Sequence, residues 1–129
     1  MPRTVEDLVA EARSRIREIS LEDLVDTLAG DLVLVDVREP DEYAQGHLPG
    51  AVNLPRGVLE FQIHAHPAMA CVADAALAEP SRRMVLYCRT GGRSALAADS
   101  LRQLGFTDVC SLAGGFEAWR NADLPVSME

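Results

Sequence analysis

Two short runs limit the folds open to this chain more than anything else in it. Leu32-Val33-Leu34-Val35 and Met84-Val85-Leu86-Tyr87 are apolar and β-prone at every position. A strand of that kind has no polar face to offer water, so both of its faces must be covered, as in a parallel sheet layered with helices. Ala51-Val52-Asn53 and Val109-Cys110-Ser111-Leu112 are weaker strand candidates. Helical stretches lie between them: Pro40 to Ala44, roughly Met69 to Leu77, Arg93 to Leu104, and Gly115 to Asn121. Strands alternating with helices predict a parallel α/β sheet. Arg56 to Pro80 is the least defined part, with an Ala-rich middle that suits either helix or an extended excursion.

Ahead of the first run, Val5, Leu8, Val9, Ala12 and Ile16 recur at helical spacing with Thr4 placed to cap them. The spacing predicts an amphipathic helix over residues 4–17 that packs on the domain. Ser20-Leu21-Glu22-Asp23 signals a second helix running to about Ala29, with Gly30 ending it.

Length and charge then exclude several functions. At 129 residues the chain can build one sizeable core, not two. No apolar run approaches the ~20 residues of a membrane span. The first residues form no secretory stretch, and Glu6, Asp7, Glu11 and Glu18 interleave with Arg3, Arg13, Arg15 and Arg17, unlike an acid-poor transit peptide. A cytoplasmic protein is expected. The net charge of −8 argues against nucleic acid and anionic membranes as partners. All twelve basic residues are arginine, so no lysine exists for Schiff-base chemistry or for a P-loop. Three cysteines, Cys71, Cys88 and Cys110, are an odd number without paired spacing, which suits thiol chemistry in a reducing compartment.

Open parallel sheets bind ligands beyond the carboxyl ends of their strands. Two polar clusters fall there: Asp36-Val37-Arg38-Glu39, and Cys88-Arg89-Thr90-Gly91-Gly92-Arg93 followed by Ser94. In the second, a cysteine leaves a buried strand and a helix begins about five residues later. Gly91 and Gly92 allow backbone conformations closed to other residues, and such a loop can turn successive N–H groups inward as an anion-binding nest. The helix N-terminus, Arg89 and Arg93 add positive charge. Each contribution favours thiolate over thiol at Cys88 and would equally favour an anionic persulfide. On these residues alone the loop could serve either a phosphatase or a sulfurtransferase.

Beyond the loop, Asp36-Val37-Arg38-Glu39-Pro40-Asp41-Glu42-Tyr43 runs on through Gly46-His47-Leu48-Pro49-Gly50-Ala51-Val52-Asn53-Leu54-Pro55. Tyr87 to Ser94 follows, and then Gly114-Gly115-Phe116-Glu117-Ala118-Trp119. In this order and spacing the segments resemble a single-domain rhodanese, over roughly Ile19 to Pro125. The N-terminal helix and much of 56–80 lie outside the pattern, giving an expected division into a helical extension at 1–18, a rhodanese domain at 19–125 and a short tail at 126–129.

The resemblance implies a five-stranded parallel sheet flanked by helices on both faces, and a sulfurtransferase. Cys88 would take sulfur from thiosulfate or a similar sulfane donor, release sulfite, and pass the persulfide sulfur to cyanide, a cellular thiol or a protein acceptor. No metal or organic cofactor is implied. Phosphatases and arsenate reductases of the same fold have a Cys-x5-Arg loop. Here Cys88 to Arg93 is Cys-x4-Arg, a narrower cradle suited to a sulfur atom. A persulfide carrier serving a protein partner, with little thiosulfate turnover, is the other alternative.

Roles follow for the remaining residues. Arg89 is a candidate ligand for a sulfonate group or else a solvated loop residue. Arg93 is expected to hydrogen-bond loop carbonyls or to anchor the loop, with only an electrostatic effect on the thiolate. Asp36, Arg38 and His47 are expected to be structural, with Arg38 paired to a carboxylate, and Arg56 to reach the pocket mouth. His64, His66 and Cys71 form the one metal-like grouping, without usual zinc spacing, and Cys71 could also resolve a persulfide as a disulfide. Cys110 and Trp119 read as core.

Overall fold

The computed structural model describes residues 2–30, 32–63 and 83–128. Helix α1 spans Val5–Arg15, strand β1 Arg17–Ile19, α2 Leu21–Thr27, β2 Val33–Asp36, α3 Pro40–Ala44, β3 Val52–Asn53 and α4 Leu59–Gln62. After the undescribed segment come β4 Met84–Tyr87, α5 Gly92–Gln103, β5 Val109–Leu112 and α6 Gly115–Asn121. The five strands form one parallel sheet in the order β1-β5-β4-β2-β3. The expected helix at Met69–Leu77 lies outside the described residues.

The two apolar runs behave as their composition requires. β4 is buried at all four positions and sits between β5 and β2. Its side chains alternate between two cores. Met84, Leu86 and then Cys88 join Val35, Ala97, Ala98 and Leu101 on the face covered by α5. Val85 and Tyr87 join Leu24, Leu34, Phe116 and Trp119 on the face covered by α2 and α6. Cys88 thus leaves the centre of the sheet pointing to the α5 side.

Helix starts follow local chemistry. Thr4 caps α1 by accepting from Asp7 N–H, while the Asp7 carboxylate accepts from Thr4 N–H, a reciprocal capping box. Ser20 caps α2 through Asp23 N–H. That helix ends at Thr27, short of Ala29, and Gly30 N–H closes a turn onto Thr27 C=O. Helix α5 begins at Gly92, and Gly105 follows its end with φ +103°, the left-handed stop expected there.

Two elements were not anticipated. Strand β1 pairs with β5, Arg17 to Cys110 and Ile19 to Leu112, so residues just after α1 form a sheet edge rather than a linker. The short α4 buries Leu59, and Ile63 just beyond it, against the core. The tail also docks: His47 and Ser127 exchange backbone hydrogen bonds, and Trp119 Nε1–H donates to Pro125 C=O at 2.6 Å.

Candidate active site

Cys88 is 1% exposed, and its Sγ is held at the turn from β4 into α5. Gly91 N–H donates to Sγ at 3.0 Å, made possible by φ +120° at Gly91, where a side chain would be strained. Ser94, fully buried, places its hydroxyl 3.6 Å from Sγ and 2.7 Å from the hydroxyl of buried Ser111 on β5. Ser94 also donates to Gly91 C=O at 3.3 Å, so its hydroxyl lies among that carbonyl, the Ser111 hydroxyl and the thiol. Ser111 was not foreseen, because its role depends on the β4–β5 pairing and not on any motif.

The loop backbone is clamped by α6. Phe116 N–H donates to Cys88 C=O at 2.8 Å and Glu117 N–H to Arg89 C=O at 3.1 Å. A Cβ on Gly115, whose φ is +57°, would lie 2.5 Å from the Cys88 carbonyl oxygen and 2.7 Å from that of Arg89. Gly115 is therefore a requirement of close approach: only a residue without a side chain there lets α6 reach the loop.

The charged residues are paired, and this bears on three expectations. Arg93 makes a two-pronged pair with Glu42 of α3, at 2.8 and 3.1 Å, instead of binding loop carbonyls. Its hydrogen bonds hold the Glu42 carboxyl down at about 2, and Glu42 in turn raises the arginine's pKa. Arg89 is exposed and pairs with Glu117 at 3.1 Å. Arg56 pairs with Glu60 at 3.0 Å and lies 3.3 Å from the Ser100 hydroxyl. It is not among the described residues lining the space at Cys88, so the expected reach to the pocket mouth is not seen.

Asp36 and Arg38 meet at the neighbouring strand end, where the expected pairing of Arg38 with a carboxylate is seen. Arg38 forks onto the Asp36 carboxylate at 2.7–3.1 Å and donates to Gly46 C=O, both residues being buried. Its guanidinium stacks over the Phe116 ring at 4.4 Å, which ties the β2 end to α6. Buried His47 stacks on Tyr43 with ring centroids 3.7 Å apart, its Nδ1 2.9 Å from Tyr43 C=O. Trp119 is core, and Cys110 is half-buried, its thiol pKa raised by burial. His64, His66 and Cys71 lie outside the described residues.

A cavity of about 450 Å³ opens onto Cys88. One wall is the loop and α5: Thr90, Gly92, Arg93 and Leu96 beside the cysteine. The other is α1, through Val5, Glu6, Val9, Ala10 and Arg13. The Arg13 guanidinium reaches within 3.3 Å of where a Gly91 Cβ would be, and also pairs with Glu18 at 3.4 Å. These α1 residues carried no signal as site residues, since the helix reads from sequence only as an amphipathic cover.

A buried cysteine at the carboxyl end of a central parallel strand, hydrogen-bonded by a loop amide and open to a cavity, defines an α/β domain built around a thiol. The comparisons make that class specific. Residues 20–122 match the rhodanese-like domain family. A sulfurtransferase of Allochromatium vinosum is 36% identical over 113 residues, covering 86% of this chain and 94% of that protein. The chloroplastic thiosulfate sulfurtransferase 16 of Arabidopsis thaliana is 36% identical over 107 residues, covering 77% and 87%. A solved Rhodopseudomonas palustris protein of unknown function, described as a possible tyrosine phosphatase, superposes with a TM-score of 0.82 at 35% identity, covering 98% of this chain and 96% of its own. The chain belongs to the rhodanese-like family, and its relatives support sulfur transfer as the general activity.

Proposed function

We propose that the protein is a sulfurtransferase that carries sulfane sulfur as a persulfide on Cys88. The observation that carries this reading is the Gly91 N–H donated to Sγ at 3.0 Å in a cysteine that opens onto a cavity. A thiolate there needs no general base. With thiosulfate as donor, Sγ attacks the outer sulfur, the sulfur–sulfur bond of the donor breaks, and sulfite leaves with the electron pair. Cys88 is left as Cys–S–S⁻, held by the same amide and within reach of the Ser94 hydroxyl. An acceptor thiolate then attacks the outer sulfur, forms its own persulfide and returns Cys88 as thiolate. Neither step needs an oxidant or a metal. Cys88 is the catalytic residue; Gly91, Ser94 and the Gly115–Glu117 clamp position it. Asp36 and Arg38 support the clamp from the next strand end.

The phosphatase reading is weaker on the same geometry. The loop spans Cys88 to Arg93 with four residues between, and Arg93 turns its fork onto Glu42. A phosphate dianion would have to displace that carboxylate. Free thiols at Cys88 and Cys110 among the described residues suit a reducing compartment such as the cytoplasm.

The test is intact-mass measurement after exposure to sulfane donors, with cyanide added in a second arm. The wild type should gain one sulfur and then yield thiocyanate, and Cys88→Ser should do neither. A wild type that gains no sulfur from any donor defeats the proposal. Sulfur gained but transferred only to a protein thiol would recast the enzyme as a carrier.

A further inference from the structure

Helix α1 lies before the family-matched residues, yet it forms half of the cavity at Cys88. It is held against α5 by Arg15, which forks onto Asp99 at 2.8–3.3 Å. Val9, half-buried, and Val5, at the exposed rim, present methyl groups to the space that Leu96 lines from α5. Its volume falls in the ~300–1,000 Å³ range of sites that enclose organic ligands, whereas a thiosulfate ion would occupy a small part of it. The charge pattern points the same way. The three guanidinium groups around the loop, Arg13, Arg89 and Arg93, are each paired with a glutamate. A fourth carboxylate, Glu6, lines the cavity from the first turn of α1. A dianion would therefore meet cations that each already face a glutamate, and an acid lining the cavity, while its desolvation gains nothing from the apolar walls.

We infer that the site selects sulfane donors with a single negative charge and an apolar organic group on sulfur, of the organic thiosulfonate class R–SO₂–S⁻, over inorganic thiosulfate. The inference rests on the sulfur-transfer reading of Cys88. The thiolate attacks the terminal sulfur, the bond from that sulfur to the sulfonyl sulfur breaks, and the sulfinate R–SO₂⁻ leaves with the electron pair. The group R occupies the space between Val5, Val9 and Leu96. Helix α1 is then the specificity-determining element, with Val9 at its centre.

The experiment compares kcat/KM for benzenethiosulfonate and thiosulfate, cyanide being the acceptor, in wild type, Val9→Trp and Val5→Asp. Each donor's intrinsic reactivity is the same in every variant, so a change in the ratio reports the cavity. Filling it with Trp should lower the benzenethiosulfonate-to-thiosulfate ratio by ~10-fold or more, the scale of discrimination in an apolar pocket. Val5→Asp, an exposed rim change that leaves the core untouched, should lower it severalfold and decides the matter if Val9→Trp does not fold. Ratios equal to wild type in the folded variants would overturn the inference while leaving sulfur transfer in place. Absence of any Cys88 adduct with either donor would instead remove the sulfur-transfer reading, and this inference with it.

Discussion

The Cys88 loop is held from two sides, and the two holds differ in kind. On the α6 side the contacts are backbone to backbone: Phe116 and Glu117 N–H groups bind the Cys88 and Arg89 carbonyls, and Gly115 leaves no space for a side chain. Behind them stands a buried ion pair, Arg38 with Asp36, stacked on Phe116. On the α1 side the contacts are made by side chains and are partly exposed: Arg13 rests near Gly91, Arg15 reaches Asp99, and a cavity separates the helix from the thiol. The first arrangement fixes where sulfur sits. The second governs what can approach it, and it can vary without moving the nucleophile.

The largest effect is expected on the α6 side. Arg38→Ala leaves the Asp36 carboxylate buried without its partner, which should cost about 3–5 kcal/mol in urea unfolding. A loss no greater than that of an exposed pair, ~1 kcal/mol, would mean that this side is no more rigid than the other. Gly115→Ala comes next. It forces a left-handed residue and a Cβ into contact with two carbonyls, for about 1–3 kcal/mol of strain, and should abolish sulfur loading of Cys88 in a protein that still folds. Normal loading in that variant would break the link between the clamp and the thiol.

Changes on the α1 side should be milder. Hydrogen bonds from Arg15 first, and then Arg102, keep the Asp99 carboxyl below its usual pKa range. That contribution is present above the ordinary carboxylate pKa and lost as pH falls through the lowered one, so it is complete at neutral pH. Asp99→Asn weakens it at all pH values. Amide exchange in α1 should accelerate severalfold with α6 unchanged. Equal acceleration in both helices would erase the contrast between the two sides.

Parts of this architecture can be read directly from residues, and parts cannot. Met84–Tyr87 announces a central strand because burial on both faces leaves it no polar position. Thr4, Ser20 and Gly105 announce helix ends because capping is local. Arg17-Glu18-Ile19 gives no such signal, since a three-residue edge strand with two exposed charged residues draws its order from Cys110 to Leu112 across the sheet. The arginines show the same divide within the site. Their presence near Cys88 is legible, but their partners are not, because Glu42 is 51 residues from Arg93 and Glu117 is 28 from Arg89. Sequence showed cations around an anion site; the fold shows those cations already matched. The cavity wall from α1 is invisible for a related reason: apolar spacing tells which face of a helix is dry, not whether it meets a core or a substrate.

The smallest structural effect, and the sharpest for the charge argument, is expected at Glu42. Its side chain and that of Arg93 are 31% and 38% exposed, so solvent screens the pair and Glu42→Gln should cost less than about 1 kcal/mol. Because Arg93 holds the Glu42 carboxyl at about 2, this small stabilisation is complete above the ordinary carboxylate range and drains only as pH falls toward 2. In the wild type the pair therefore stays closed across any pH at which the enzyme is assayed, and titration of the Glu42 carboxyl carbon by NMR should show no step between pH 7 and 5. In Glu42→Gln the Arg93 fork is released beside Cys88, where a dianion can use it. Thiosulfate loading should rise relative to benzenethiosulfonate, reversing part of the preference set from the α1 side. A variant in which both donors change by the same factor would show that Glu42 only supports the loop, and that the pairing of Arg93 does not discriminate between one negative charge and two.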